Sequence, residues 1–124
     1  MPVIREQDAV RHELHGAAFH SYVAPSSGSR ELCAWRLDVA AGTTGVPHRV
    51  NREEVLLVLT GELTATIGDN RTTVRAGEVA FVPAGALFGL DNVSDAPAAA
   101  WVTTSIGLEA TLADGSLISP PWVR

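Results

Sequence analysis

Residues 42 to 61 read GTTGVPHRVNREEVLLVLTG, and residues 77 to 92 read GEVAFVPAGALFGLDN. In the first stretch five residues separate Gly42 from His48, and six separate Glu54 from Gly61. In the second, Pro83 follows Gly77 after five residues, and Gly85, Phe88 and Asn92 come next. Gly42, Gly61, Gly77 and Gly85 stand where strands must turn sharply, and Pro83 fixes one of those corners. The spacing predicts short strands joined by tight turns.

Outward from these stretches the same pattern continues. Glu31 to Ala40 alternates, with Cys33, Trp35, Leu37 and Val39 on one face and Arg36 and Asp38 on the other. Glu54 to Thr60 is apolar on both faces, through Val55, Leu56, Leu57, Val58 and Leu59, so both its sides call for cover. Glu62 to Ile67 alternates again, Gly68-Asp69-Asn70 signals a hairpin, and Arg71 to Arg75 returns. Val79 to Val82 and Ala98 to Ile106 complete the strands of the middle of the chain, the latter carrying Trp101. Asp114-Gly115 predicts a small hairpin between Ala110 to Leu112 and Ser116 to Ile118, and Pro120-Pro121 ends it before Trp122. The opening segment, with His12, His15 and His20, reads as a helical turn followed by a strand. Many short strands and no long amphipathic helix predict an all-β, closed architecture.

Composition narrows the function classes. The 124 residues suit a single domain able to bury a core without staples. The formal net charge of −5, without a basic cluster, argues against nucleic acid as a partner. All nine basic residues are arginine, which excludes lysine Schiff-base chemistry and a lysine-dependent phosphate loop. Cys33 is the one cysteine, so no internal disulfide can form, and its apolar strand neighbours predict an inert buried thiol. No apolar run is long enough to span a bilayer, and Met1 to Val10 lacks an apolar signal core, so a cytoplasmic location without a membrane partner is expected.

The two spaced stretches resemble the two motifs of the cupin superfamily, and the resemblance extends over roughly residues 31 to 106. It implies a single-domain cupin, a double-stranded β-helix (jelly-roll) barrel, spanning residues 1–124. The segments 1–30 and 107–124 would then pack on the barrel or on a partner subunit, and the family's habit together with the doubly apolar strand predicts a homodimer. The resemblance also implies a divalent metal held by two histidines and a glutamate of the first motif and a histidine of the second. Here His48 and Glu54 match, but Val50 and Phe88 occupy the other two positions. Neither side chain offers a lone pair, and two ligands fall short of the three or four usual at catalytic zinc or non-haem iron sites.

The reading that follows is an apolar, metal-free cavity that binds a small molecule. His48 would act as acid/base with Glu54 orienting it, for proton transfer of the isomerase, dehydratase or cyclase type. Both residues as inherited relics remain an open alternative. Val50, Phe88, Trp35 and Trp101 are expected to shape the pocket, the two tryptophans as stacking surfaces. Arg49 and Arg52 are candidates to anchor an anionic group on the ligand, against a plain solvated rim. A second reading is a metal-dependent, dioxygenase-like cupin holding Fe, Mn, Zn or Ni through His48, Glu54 and a rescuing histidine, His20 being the best placed. A third is a non-catalytic ligand sensor or structural dimer.

Overall fold

In the computed structural model, which describes residues 3–124, the expected runs become strands, and two further short strands, at His48–Val50 and Leu87–Asp91, form where the sequence reading placed none. In chain order the strands are β1 (Val10–Leu14), β2 (Ala17–Val23), β3 (Leu32–Val39), β4 (His48–Val50), β5 (Glu54–Thr60) and β6 (Glu62–Ile67). Then follow β7 (Asn70–Arg75), β8 (Val79–Val82), β9 (Leu87–Asp91), β10 (Ala98–Ser105), β11 (Ala110–Leu112) and β12 (Leu117–Ile118). Helix is confined to three short 3-10 turns, and among the described residues no helix is long and apolar enough to cross a membrane.

Two six-stranded antiparallel sheets face each other, in the orders β1-β2-β3-β10-β5-β8 and β12-β11-β4-β9-β6-β7. Hairpin neighbours lie at the sheet edges, while the central pairs β3-β10, β10-β5, β11-β4, β4-β9 and β9-β6 join strands far apart in sequence, as in a jelly roll. The alternation read from the sequence sets the inner faces. Trp35 and Leu37 on β3, Leu56 and Val58 on β5, Leu63 on β6, Val82 on β8, Phe88 on β9 and Val102 on β10 form one buried cluster.

The opening segment differs from expectation. It holds the 3-10 turn Glu6–Asp8, but then a hairpin rather than one strand, with β2 paired to β3 from Ala17↔Val39 onward. His15, at a φ of 49°, and Gly16, at 80°, form its two-residue turn, the geometry that matches the twist of antiparallel strands.

Two framework residues show why their types are needed. Gly61 has a φ of 71°, and a Cβ there would stand 2.7 Å from the Pro97 carbonyl oxygen. Asn92 is buried; its Nδ2 donates to the carbonyls of Val39 (3.2 Å) and Ala96 (2.9 Å), while its Oδ1 accepts from the Ser94 amide and hydroxyl. Asn92 thereby ties the end of β3 to the β9–β10 loop.

Candidate functional site

Between the sheets lies a cavity of about 190 Å3 with predominantly apolar walls. Glu54 enters it as the first residue of β5, between Thr104 of β10 and Val82 of β8. Alternation along β5 puts Glu54 on the same inner face as Leu56 and Val58. The Glu54 residue is 6% exposed. Burial pushes its carboxyl up to about 7, because the apolar surroundings disfavour the charged form. It is the one carboxylate among the residues lining the cavity.

His48 opens β4, opposite Phe88 on β9 and Leu112 on β11. The His48 and Phe88 rings meet edge to face, with centroids 5.7 Å apart. His48 Nδ1 lies 2.9 Å from the Val46 carbonyl oxygen. A carbonyl only accepts, so Nδ1 carries a proton and Nε2 is the nitrogen with a free lone pair in the neutral ring. The imidazole is thus oriented by backbone two residues away. Among the described residues no hydrogen bond or ion pair joins it to Glu54, which corrects the expectation that the carboxylate orients the ring.

Val50 and Phe88 are buried cavity walls, as is Trp35. Trp35 Nε1 is buried and has no hydrogen-bond partner. Trp101 is a correction. It sits on the outer face of β10, between the inward-facing Ala100 and Val102, and meets Tyr22 edge-on with centroids 5.2 Å apart. Arg49 and Arg52 also stand outside the cavity. Arg49 alternates with the inward His48 and Val50, and its Nη1 donates to the Gly85 carbonyl (2.8 Å). Arg52 lies against Gly107. Neither is placed to hold an anion inside.

Sequence reading missed a whole wall. Phe19 from β2 and Trp122 from the C-terminal segment stack in parallel, with centroids 3.7 Å apart and an interplanar angle of 8°. Leu112, Ile118 and Pro120 extend that wall. The segment is anchored by Ser21 Oγ donating to the Trp122 carbonyl (2.9 Å) and by the Cys33 thiol against the Val123 carbonyl (3.6 Å). Cys33 is buried as expected, and burial pushes its thiol up. The one signal in the sequence was an aromatic placed directly after Pro120-Pro121, where a chain that cannot pair as a strand still carries a large side chain to bury.

A family described as a cupin domain matches residues 35–105, more than half of the chain. The chain belongs to the cupin family. Solved structures share its fold at low identity. A polyketide cyclase from Streptomyces resistomycificus superposes with a TM-score of 0.76 at 17% identity, over 85% of this chain and 79% of that one. A cupin-superfamily sugar phosphate isomerase from Silicibacter pomeroyi gives 0.73 at 15% identity, over 99% and 96%. A DMSP lyase from Ruegeria pomeroyi gives 0.74 at 21% identity, over 87% and 62%. No curated protein matches the sequence.

Cupin metal positions correspond here to His48, Val50, Glu54 and Phe88, and the residues do not fit a divalent cation. Val50 and Phe88 are buried hydrocarbon, which leaves His48 Nε2 and the Glu54 carboxyl as the donors at these four positions. Among the described residues no three of His, Cys, Asp or Glu converge. The rescue by His20 fails on geometry. Its Nε2 lies 3.0 Å from Asp38 Oδ2 on the outer face of the sheet, beside Arg36. Of the N-terminal histidines it is His15 that reaches the cavity lining.

Proposed function

We propose that this cupin binds a small, mainly apolar molecule in a metal-free cavity and moves protons on it, as an isomerase, dehydratase or cyclase does. The observation that carries the reading is Glu54: a carboxyl without an ionic partner in an apolar chamber, titrating near neutrality. A group poised near the operating pH is an efficient general acid and base. In an isomerisation the Glu54 carboxylate would take a proton from a carbon beside a carbonyl. Protonated His48 would give its Nε2 proton to the carbonyl oxygen, forming the enol. The reverse transfers at a neighbouring carbon regenerate both groups with no net gain or loss of protons. The similarity to a polyketide cyclase and a sugar phosphate isomerase supports small-molecule chemistry in this fold, though at their identities it speaks for the fold first.

The test uses 2-indanone, a flat ketone with activated protons beside its carbonyl, dissolved in D2O. Protein purified without added metal should accelerate deuterium incorporation at those carbons, and Glu54→Gln should abolish the acceleration. Stoichiometric iron, manganese, zinc or nickel in the purified protein, or exchange indifferent to Glu54→Gln, would overturn the reading.

The partners that accompany it are the small-molecule ligand and a second copy of the chain. Val55, Leu59, Val79 and Phe81 are 38–55% exposed on the outer face of β5 and β8, next to Trp101 and Leu57. An apolar strip of this kind marks an interaction surface. At its margin His20, Arg36 and Asp38 bring both signs of charge, so a copy related by a two-fold axis meets complementary groups.

A further inference from the structure

The polar groups of the cavity are few, and each has a definite hydrogen-bonding sense. Its lining holds three titratable side chains: Glu54 on β5, His48 on β4 and the exposed His15 in the β1–β2 turn. No arginine lines it, and the chain has no lysine. Glu54 is 6% exposed, and burial alone, without a hydrogen bond or a neighbouring charge, sets the state of its carboxyl. Thr104, its register neighbour on β10, donates its hydroxyl to the Glu53 carbonyl instead (2.7 Å). Yet the Glu54 oxygens are not sealed in. Among the described residues the one side-chain nitrogen or oxygen both unpartnered and cut off from water-sized contact is Trp35 Nε1. The unpartnered Glu54 carboxyl therefore opens onto the cavity it lines.

The other polar atoms there also lack a proton to give. With the Nδ1 proton directed at the Val46 carbonyl, the neutral His48 ring offers the Nε2 lone pair. Thr43, the one hydroxyl in the lining, donates to the Ala40 carbonyl (2.7 Å). Around these acceptors stand the rings of Phe19, Trp35, Phe88 and Trp122. Aromatic faces attract cations, and a buried carboxylate is stable only when a positive charge or hydrogen-bond donors meet it. The volume of about 190 Å3 is well under the ~300–1,000 Å3 of sites for drug-sized ligands and somewhat over the roughly 150 Å3 that accepts a benzene ring. Resting on the small-molecule reading above but not on its proton transfer, we infer that the ligand is a small organic ammonium ion, an amine on an apolar body of about one ring, whose N–H groups donate to the Glu54 carboxylate and whose charge lies among the aromatic walls. The ammonium supplies both the charge and the donors that the chain itself leaves out of the cavity.

The experiment compares benzylamine with benzyl alcohol, a neutral molecule of the same shape, and with benzoate, an anion of similar size, by titration calorimetry at pH 8. Benzylamine should bind roughly ten-fold or more tighter than benzyl alcohol, the scale of a hydrogen bond to a charged group, and benzoate more weakly than the amine. Glu54→Gln should keep benzyl alcohol binding and lose the advantage of the amine. Between pH 6 and pH 8 the affinity of the native chain for benzylamine should rise roughly ten-fold, because only the ionised carboxylate pairs with the cation and Glu54 titrates at about 7. Any proton that His48 or His15 sheds over the same range removes positive charge from the cavity and acts in the same direction. Benzyl alcohol or benzoate binding as tightly as the amine would overturn the inference. So would no measurable amine binding, an amine advantage that survives Glu54→Gln, or an affinity that falls as pH rises. If Glu54→Gln does not fold, the pH profile and the amine-to-alcohol ratio of the native chain decide alone. Amine preference without deuterium exchange into 2-indanone would leave this recognition standing and sink the catalytic reading; exchange without the preference would do the opposite.

Discussion

Replacing Glu54 by glutamine should make the protein more stable at alkaline pH and leave it nearly unchanged in mild acid. The carboxyl is raised from an ordinary value of 4.5 to about 7 by burial. Between those values the folded chain holds a proton that the unfolded chain has released, so stability falls as pH rises through the window. Linkage sets the slope at up to about 1.4 kcal/mol per pH unit, and by pH 8.5 the accumulated loss is about 3 kcal/mol. Glutamine keeps the shape and a neutral polar end group, and so escapes that loss. Urea unfolding of both proteins from pH 4.5 to 8.5 should show curves that coincide in acid and diverge with rising pH. In thermal melts the gap at pH 8.5 should be about 10 °C for a chain of this size. Other titrating groups cancel in the difference, since they are common to both proteins. A stability difference independent of pH, or a native protein that gains stability on Glu54 over the same window, would refute the reasoning. The second outcome has a definite meaning: a cation bound to Glu54 favours the ionised form and reverses the slope.

Three further outcomes are expected. Val50→His with Phe88→His gives four donors around His48 and Glu54, and the double variant should bind zinc stoichiometrically by calorimetry where the native chain does not; equal binding by both would show that the hydrocarbon at these positions is not what withholds the metal. Gly45→Ala should cost on the order of 3 kcal/mol in urea unfolding, at the upper end for overpacking, because its Cβ would collide with the Leu90 carbonyl. Gly85→Ala meets no atom within 4 Å and carries only the left-handed backbone cost of about 1–2 kcal/mol, so the reverse order would contradict the packing argument. Val55→Asp with Phe81→Asp should leave the fold intact and convert a dimer to a monomer in sedimentation equilibrium at micromolar concentration; a native chain that is already monomeric there would dispose of the β5–β8 interface.

How much of this was legible in the sequence depended on the range of each contact. Alternation is a local property, so β3, β5, β6, β7, β8 and β10 and the hairpins at Gly68–Asn70 and Asp114–Gly115 could be read directly, whereas the short β4 and β9, which carry His48 and Phe88, were not read as strands. The loss of metal donors was equally direct, since Val50 and Phe88 are identities that no packing can change. Trp101 went astray because two tryptophans on apolar strands look alike until the register Val102↔Trp35 fixes which face each one takes. Arg49 and Arg52 were read as ligand anchors from their nearness to His48 along the chain, yet alternation and the turn turn them outward.

What the sequence alone determined, then, is a barrel framework with hydrocarbon at half of its metal positions. That follows from periodicity, turn chemistry and residue identity, all of which act within a few residues. What the tertiary structure decided is how the cavity is closed and what Glu54 faces. Phe19 and Trp122 meet from opposite ends of the chain, Ser21 anchors a carbonyl 101 residues away, and Glu54 and His48 enter from different sheets without bonding to each other. A carboxyl's affinity for its proton is set by everything that surrounds it in space, and those surroundings exist only once both ends of the chain have folded over the barrel.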